Sequence, residues 1–246
     1  MESTEEKIET LRTWIDACPE QSCVFFGGAG VSTESGIPDF RGSKGIYTQS
    51  PSPEELISHS YFAAHPQEFF DFYFSQMVYA HALPNAAHKK LASLEQDGKL
   101  ISVITQNIDG LHQKAGSKNV RELHGSIHRN YCMDCEALYT LAEILTRYHQ
   151  AEDGIPRCPH CGGIIKPDVV LYEESLSFDT IRAAVADIEK ADLLIVGGTS
   201  LAVYPAAGLI KYFFGSHLVI INMTPTPQDA SADLCIAAPI GEVFDF

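Results

Sequence analysis

Cys23-Val24-Phe25-Phe26-Gly27-Gly28-Ala29-Gly30 sets the fold expected of this 246-residue chain. Four apolar residues run straight into a glycine-rich turn. An apolar run without polar alternation suits a strand packed on both faces. A glycine turn after such a strand offers backbone N–H groups to a phosphate. The fingerprint G-x-G-x-x-G is only partly met. Gly28 and Gly30 fit, but Thr33 stands at the third position. No acidic residue closes a strand about 20 residues further on. The pattern disfavours an ordinary dehydrogenase and leaves a tight structural turn open.

Working outward, Ser3 and Glu6 form a capping box ahead of the stripe Ile8, Leu11, Trp14 and Ile15, which predicts a helix ending near Pro19. Residues 101–105, 120–123, 168–172, 193–196 and 218–221 read as strands. Residues 85–96, 178–191 and 205–213 have helical spacing. Apolar strands alternating with helices predict a parallel sheet covered on both faces. Residues 38–84 are rich in aromatics, including Phe62, Phe69, Phe70 and Tyr73, and predict helices packed in a lobe or lid, with most of these rings in its core.

Two cysteine pairs interrupt this pattern, Cys132-Met133-Asp134-Cys135 and Cys158-Pro159-His160-Cys161. C-x₂-C repeated at this distance is tetrahedral zinc spacing, and four protein ligands make a structural site. Cys18, Cys23 and Cys235 are left as free thiols, which fits a reducing cytoplasm. The net charge of −15 argues against nucleic acid as a direct partner and favours basic ligands. No apolar run is long enough to span a membrane. The acidic N-terminus is unlike a signal peptide. A monomer is the default expectation.

The continuation of the glycine turn is specific. Gly28-Ala29-Gly30-Val31-Ser32 through Ile37-Pro38-Asp39-Phe40-Arg41-Gly42 resembles the signature of the sirtuin family of NAD-dependent protein deacylases, bacterial type. Thr105-Gln106-Asn107-Ile108-Asp109-Gly110-Leu111-His112, Leu123-His124-Gly125, the two cysteine pairs, Gly198-Thr199-Ser200-Leu201 and Ile221-Asn222 resemble further family blocks, in the family's order. The resemblance implies an α/β architecture with a Rossmann-like parallel sheet and helices on both faces. A smaller lobe would combine a helical insert with a zinc-ribbon module. Residues 1–37, 85–125 and 167–246 would form the NAD-binding domain, 38–84 the helical part with a cofactor loop, and 126–166 the zinc module.

The implied activity is NAD-dependent deacetylation of acetyl-lysine in proteins or peptides. NAD is a co-substrate, and the products are free lysine, nicotinamide and O-acetyl-ADP-ribose. His124 would be the base and Asn107 would orient the ribose or a water. Asp109 would accept from the nicotinamide carboxamide. Ala29, Ile37, Phe40 and Ile108 would line the nicotinamide pocket. Arg41, Gln106, Thr33, Thr199, Ser200 and Asn222 would meet phosphate or ribose, and Glu242 would border adenine. Substrate would add as a strand between Val169, Val170 and Tyr172 on one side and Val203 on the other.

Two departures modify this. The family's Phe-Gly-Glu is Tyr172-Glu173-Glu174 here, so Glu173 is expected to favour basic flanking residues. No lysine or arginine lies between Lys44 and Lys89. A succinyl carboxylate buried there would lack a partner, which favours acetyl or a longer apolar acyl chain. Protein ADP-ribosylation, long-chain deacylation and a non-catalytic NAD or acyl-lysine sensor are the alternatives.

Overall fold

A computed structural model describes residues 2–39 and 53–246. Helix α1 (Thr4–Ala17) precedes strand β1 (Cys23–Gly27). Helices α2 (Pro53–Leu56), α3 (His59–Ala64), α4 (Pro66–Phe72) and α5 (Ala86–Gln96) lead to β2 (Leu100–Thr105). Then come α6 (Leu111–Ala115), β3 (Val120–Glu122), β4 (Gly125–Cys132), β5 (Leu138–Thr140) and α7 (Leu141–Gln150). The chain finishes with β6 (Ile165–Val169), α8 (Phe178–Lys190), β7 (Leu193–Gly197), β8 (His217–Ile221), β9 (Leu234–Ile236) and α9 (Ile240–Val243).

The main sheet has the order β3-β2-β1-β7-β8-β9, parallel throughout. This is the doubly wound order, and the direction of winding reverses between β1 and β7. All of β1 is buried because successive side chains enter different cores. Cys23 and Phe25 pack with Leu11, Ile15, Leu91 and Phe244 on one face. Val24 and Phe26 pack with Ala184, Ile188 and Leu209 on the other. The expected capping box at α1 is present: Glu6 N donates to Ser3 Oγ (3.2 Å) and Ser3 N to Glu6 Oε2 (2.7 Å).

A second, antiparallel sheet has the order β5-β4-β6. The strand expected at 168–172 lies earlier, at Ile165–Val169, and belongs to this sheet. Beyond Val169 the backbone turns to other partners, described below. The helix expected at 205–213 is a 3₁₀ helix over Ala206–Tyr212. Phe62, Phe69, Phe70 and Tyr73 share one core with Ile127, Tyr139, Ile144, Ile165 and Val169. The aromatic stretch and the cysteine module therefore pack as one body, and these four rings are core. Among the described residues no helix is long and apolar enough to cross a membrane.

Two buried histidines lie under the sheet end. The His88 and His112 rings are 4.7 Å apart, and among the described residues neither nitrogen of His112 has a hydrogen-bond partner. Burial lowers His88 to about 4. Burial, then the neighbouring His88, lowers His112 to about 3. Both rings are neutral above the ordinary value of 6.5, where their contribution to stability is complete. Below it the unfolded chain binds protons that the folded chain takes up only near about 4 and about 3, so stability falls across that window. His112→Phe is expected to lose less thermal stability than the wild type between roughly pH 7 and 5. Equal losses in the two proteins would contradict this account.

Candidate functional site

The winding reverses at the carboxyl ends of β1 and β7, which is where a sheet of this order forms its ligand crevice. Gly28 N donates to Gly197 O (3.2 Å) and Gly30 N to Gly198 O (2.8 Å). A Cβ on Gly30 would sit 2.7 Å from Gly198 Cα. One on Gly198, where φ is +59°, would sit 2.4 Å from Val31 N. Side chains are excluded on both sides of this contact, so the two loops meet backbone to backbone. Ala29 opens a 3₁₀ turn over Ala29–Val31. Ile37 is half-buried, and the exposed Thr33 donates its hydroxyl to Gly30 O (3.0 Å). Phe40 and Arg41 lie outside the described residues.

The loop after β2 packs against this turn. Gln106 N donates to Gly27 O (3.0 Å), and Gln106 Nε2 to Thr199 Oγ1 (3.1 Å). Ile108 is half-buried beside the small-lobe core. Ser32 Oγ donates to Asp109 Oδ2 (2.6 Å) and accepts from Asn107 Nδ2 (3.1 Å). Leu111 N donates to Asp109 Oδ1 (2.9 Å). Burial raises the Asp109 carboxyl above its ordinary value, although Ser32 and Leu111 oppose the shift. Ser32 links the two expected site residues and was not singled out from the sequence. Its only signal was its place two residues after Gly30.

His124 follows β3. Its Nδ1 lies 2.9 Å from Gln106 O. A carbonyl only accepts, so Nδ1 carries the proton and Nε2 is the acceptor, without a partner among the described residues. Burial lowers the His124 value below 6.5, more than the Gln106 carbonyl raises it. The ring is thus held in its basic form near neutrality.

Other expected residues lie around this centre. Thr199 is buried, and its Oγ1 also accepts from Leu201 N (3.2 Å). Ser200 is half-buried. Asn222 turns its amide nitrogen to Thr224 O (2.7 Å). Glu242 is exposed, and Gly241 N, rather than Glu242, ties the segment to the glycine turn through Glu34 Oε2 (2.6 Å).

At the expected substrate edge, the Val169 side chain is buried in the small-lobe core. Val170 N donates to His124 O (3.0 Å) and Tyr172 N to Ile57 O (3.0 Å). Val203 is half-buried and its carbonyl accepts from Ala207 N (2.8 Å). Among the described residues, Val170 O and the N–H and C=O of Glu173 have no hydrogen-bond partner. The Glu173 carboxylate, expected to meet substrate, instead accepts from Ser60 N and Ser60 Oγ, each at 2.9 Å.

The Sγ atoms of Cys132, Cys135, Cys158 and Cys161 lie within 4.8 Å of one another. Cross-pair separations are 3.4 Å for Cys132–Cys161 and 3.6 Å for Cys135–Cys158. Four thiolates on a tetrahedral zinc stand ~3.8 Å apart, so this donor set fits the ion. The Tyr139 hydroxyl is 3.0 Å from Cys158 Sγ, placed to donate to a thiolate.

Residues 28–205 match the model of the Sir2 family. A protein of Clostridium acetobutylicum named NAD-dependent protein deacetylase is 54% identical over 244 residues, covering 98% of this chain and 97% of that protein. One of Clostridium tetani with the same name is 57% identical over 224 residues, covering 89% of each. A Sir2 structure with a deacetylated p53 peptide and 3'-O-acetyl ADP-ribose superposes with a TM-score of 0.89 at 38% identity, covering 96% of this chain and 95% of that one. A Sir2 structure bound to a propionylated peptide gives 0.85 at 38% identity, covering 97% and 95%. Family match, sequence identity and superposition agree, and the chain belongs to the Sir2 family.

Proposed function

We propose that this chain is an NAD-dependent protein-lysine deacetylase, which moves the acetyl group of acetyl-lysine to ADP-ribose and releases nicotinamide. The observation that carries this reading is His124: its Nδ1 is committed to Gln106 O, in the loop that also holds Asn107 and Asp109. The deacetylase relatives span nearly the whole chain, and solved relatives hold acetylated peptide or NAD.

NAD supplies a ribosyl carbon activated by its nicotinamide leaving group. The His124 Nε2 accepts a ribose hydroxyl proton near neutral pH. Asp109 accepts from the nicotinamide amide, since each of its oxygens keeps a lone pair beyond Ser32 and Leu111. Asn107, held by Ser32, orients the ribose or a water. Ala29, Ile37 and Ile108 give the ring apolar walls. Thr33, Gln106, Thr199, Ser200 and Asn222 bind ribose or phosphate, with Glu242 at the adenine end. Phe40 and Arg41 complete the pocket in the sequence assignment.

The substrate is an acetyl-lysine peptide added as a strand, using the open main-chain groups of Val170 and Glu173. Residues 1–37, 85–125 and 167–246 serve as the NAD-binding unit, with 38–84 and 126–166 as the small lobe. We place the enzyme in the cytoplasm as a monomer without nucleic-acid partners, in keeping with its net charge of −15.

Acetyl loss from a lysine peptide, read by mass, is expected only when NAD is supplied. His124→Ala should lower kcat/KM by roughly 10²–10⁴-fold with the circular-dichroism spectrum unchanged. Near-wild-type turnover would refute the base. The acid limb of the wild-type kcat/KM profile should fall below the ordinary histidine value of 6.5, because the ring must be deprotonated and burial lowers it. Ser32→Ala removes a hydrogen bond to a carboxylate and should cut kcat/KM for NAD by roughly tenfold or more. An unchanged value would separate Asp109 from nicotinamide binding. Chelation should release one zinc per chain and unfold the small lobe before activity is lost, whereas full activity after verified removal would contradict a structural metal.

A further inference from the structure

We propose that Glu173 is a positioning residue that holds the acyl-lysine edge against the helical part of the small lobe; this rests on the deacetylase reading. Glu173 has φ +75°, a conformation that glycine adopts freely and other residues avoid. A non-glycine residue persists there only when its surroundings hold it. Here the carboxylate accepts from Ser60 N and Ser60 Oγ, both at 2.9 Å, across 113 residues of sequence. The side chain is thereby turned away from the edge, while among the described residues its own N–H and C=O have no hydrogen-bond partner.

Two further ties join the same segments. Tyr172 N donates to Ile57 O and His59 N to Tyr172 O, each at 3.0 Å. Glu174 accepts from Leu171 N (2.9 Å) and from the buried Lys166 Nζ (3.2 Å), and its other oxygen meets His59 Nδ1 at 2.9 Å. Removing the Glu173 carboxylate leaves these ties in place, so the fold should stand. What is lost is the fixed orientation of the peptide groups at residue 173, which a substrate strand would use. The effect therefore belongs in the KM for peptide, not in kcat or the KM for NAD.

The test is steady-state kinetics with acetyl-lysine peptides carrying acidic or basic flanks. Glu173→Ala should raise peptide KM about fivefold, with kcat and NAD KM within about twofold, the change expected for exposed charge-assisted hydrogen bonds. Glu173→Gln should recover part of the loss, because its amide oxygen still accepts from Ser60. Adding Ser60→Ala to Glu173→Ala should cost little more than Glu173→Ala alone, since both remove one contact. An unchanged peptide KM in Glu173→Ala overturns the proposal. So does a shift in flank-charge preference in Glu173→Ala that Ser60→Ala lacks, which would put the carboxylate against substrate. Wild-type turnover in the same assay separates the two failures. Absent NAD-dependent acetyl loss removes the deacetylase reading and the proposal with it, whereas normal turnover with unmoved variants removes only the proposal.

Discussion

The backbone contact between Gly30 and Gly198 is the constraint on which the rest depends. Gly30 N reaches Gly198 O at 2.8 Å, and no Cβ fits on either residue. That contact joins the loops that follow the paired strands β1 and β7, where the sheet's winding reverses. Ligands of open α/β sheets bind at such a point because neighbouring connections leave the strand ends on opposite faces. The position of the site is therefore a consequence of strand order, and the glycines let the two loops above it meet backbone to backbone.

The proposed chemistry then depends on a short chain of hydrogen bonds at this point. Gln106 bonds to Gly27 with its backbone N–H, to Thr199 with its side chain and to His124 with its carbonyl. One residue thus links the glycine turn, the loop of Thr199 and the proposed base His124. Ser32 does the same for Asn107 and Asp109. The small lobe is a single packed body of aromatic helices and cysteine module, clasped to the proposed substrate edge by residues 57–60. A metal on the four cysteines would hold β4 close to the β6 side of the module, and thus act on the edge only through packing.

The central strands of the main sheet were legible because they are buried on both faces and read as unbroken apolar runs, as in Cys23–Gly27 and Leu193–Gly197. The smaller sheet was not. In β4 the exposed His128 and Arg129 sit beside the buried Asn130, with a register shift between Ser126 and Asn130, so no simple alternation survives. Strand β9 and helix α9, at three and four residues, are too short to carry a period. The cysteine site was legible from spacing alone. The role expected of His124 came from resemblance, since spacing cannot distinguish one of ten histidines. The direction of Glu173 was not legible, because it follows from a left-handed backbone that the residue type itself disfavours.

The most direct measurement is the stoichiometry of a single reaction mixture of this protein, NAD and an acetyl-lysine peptide. Nicotinamide, deacetylated peptide and O-acetyl-ADP-ribose should form in equal amounts. Nicotinamide released without deacetylated peptide, or ADP-ribose recovered on protein, would contradict the account.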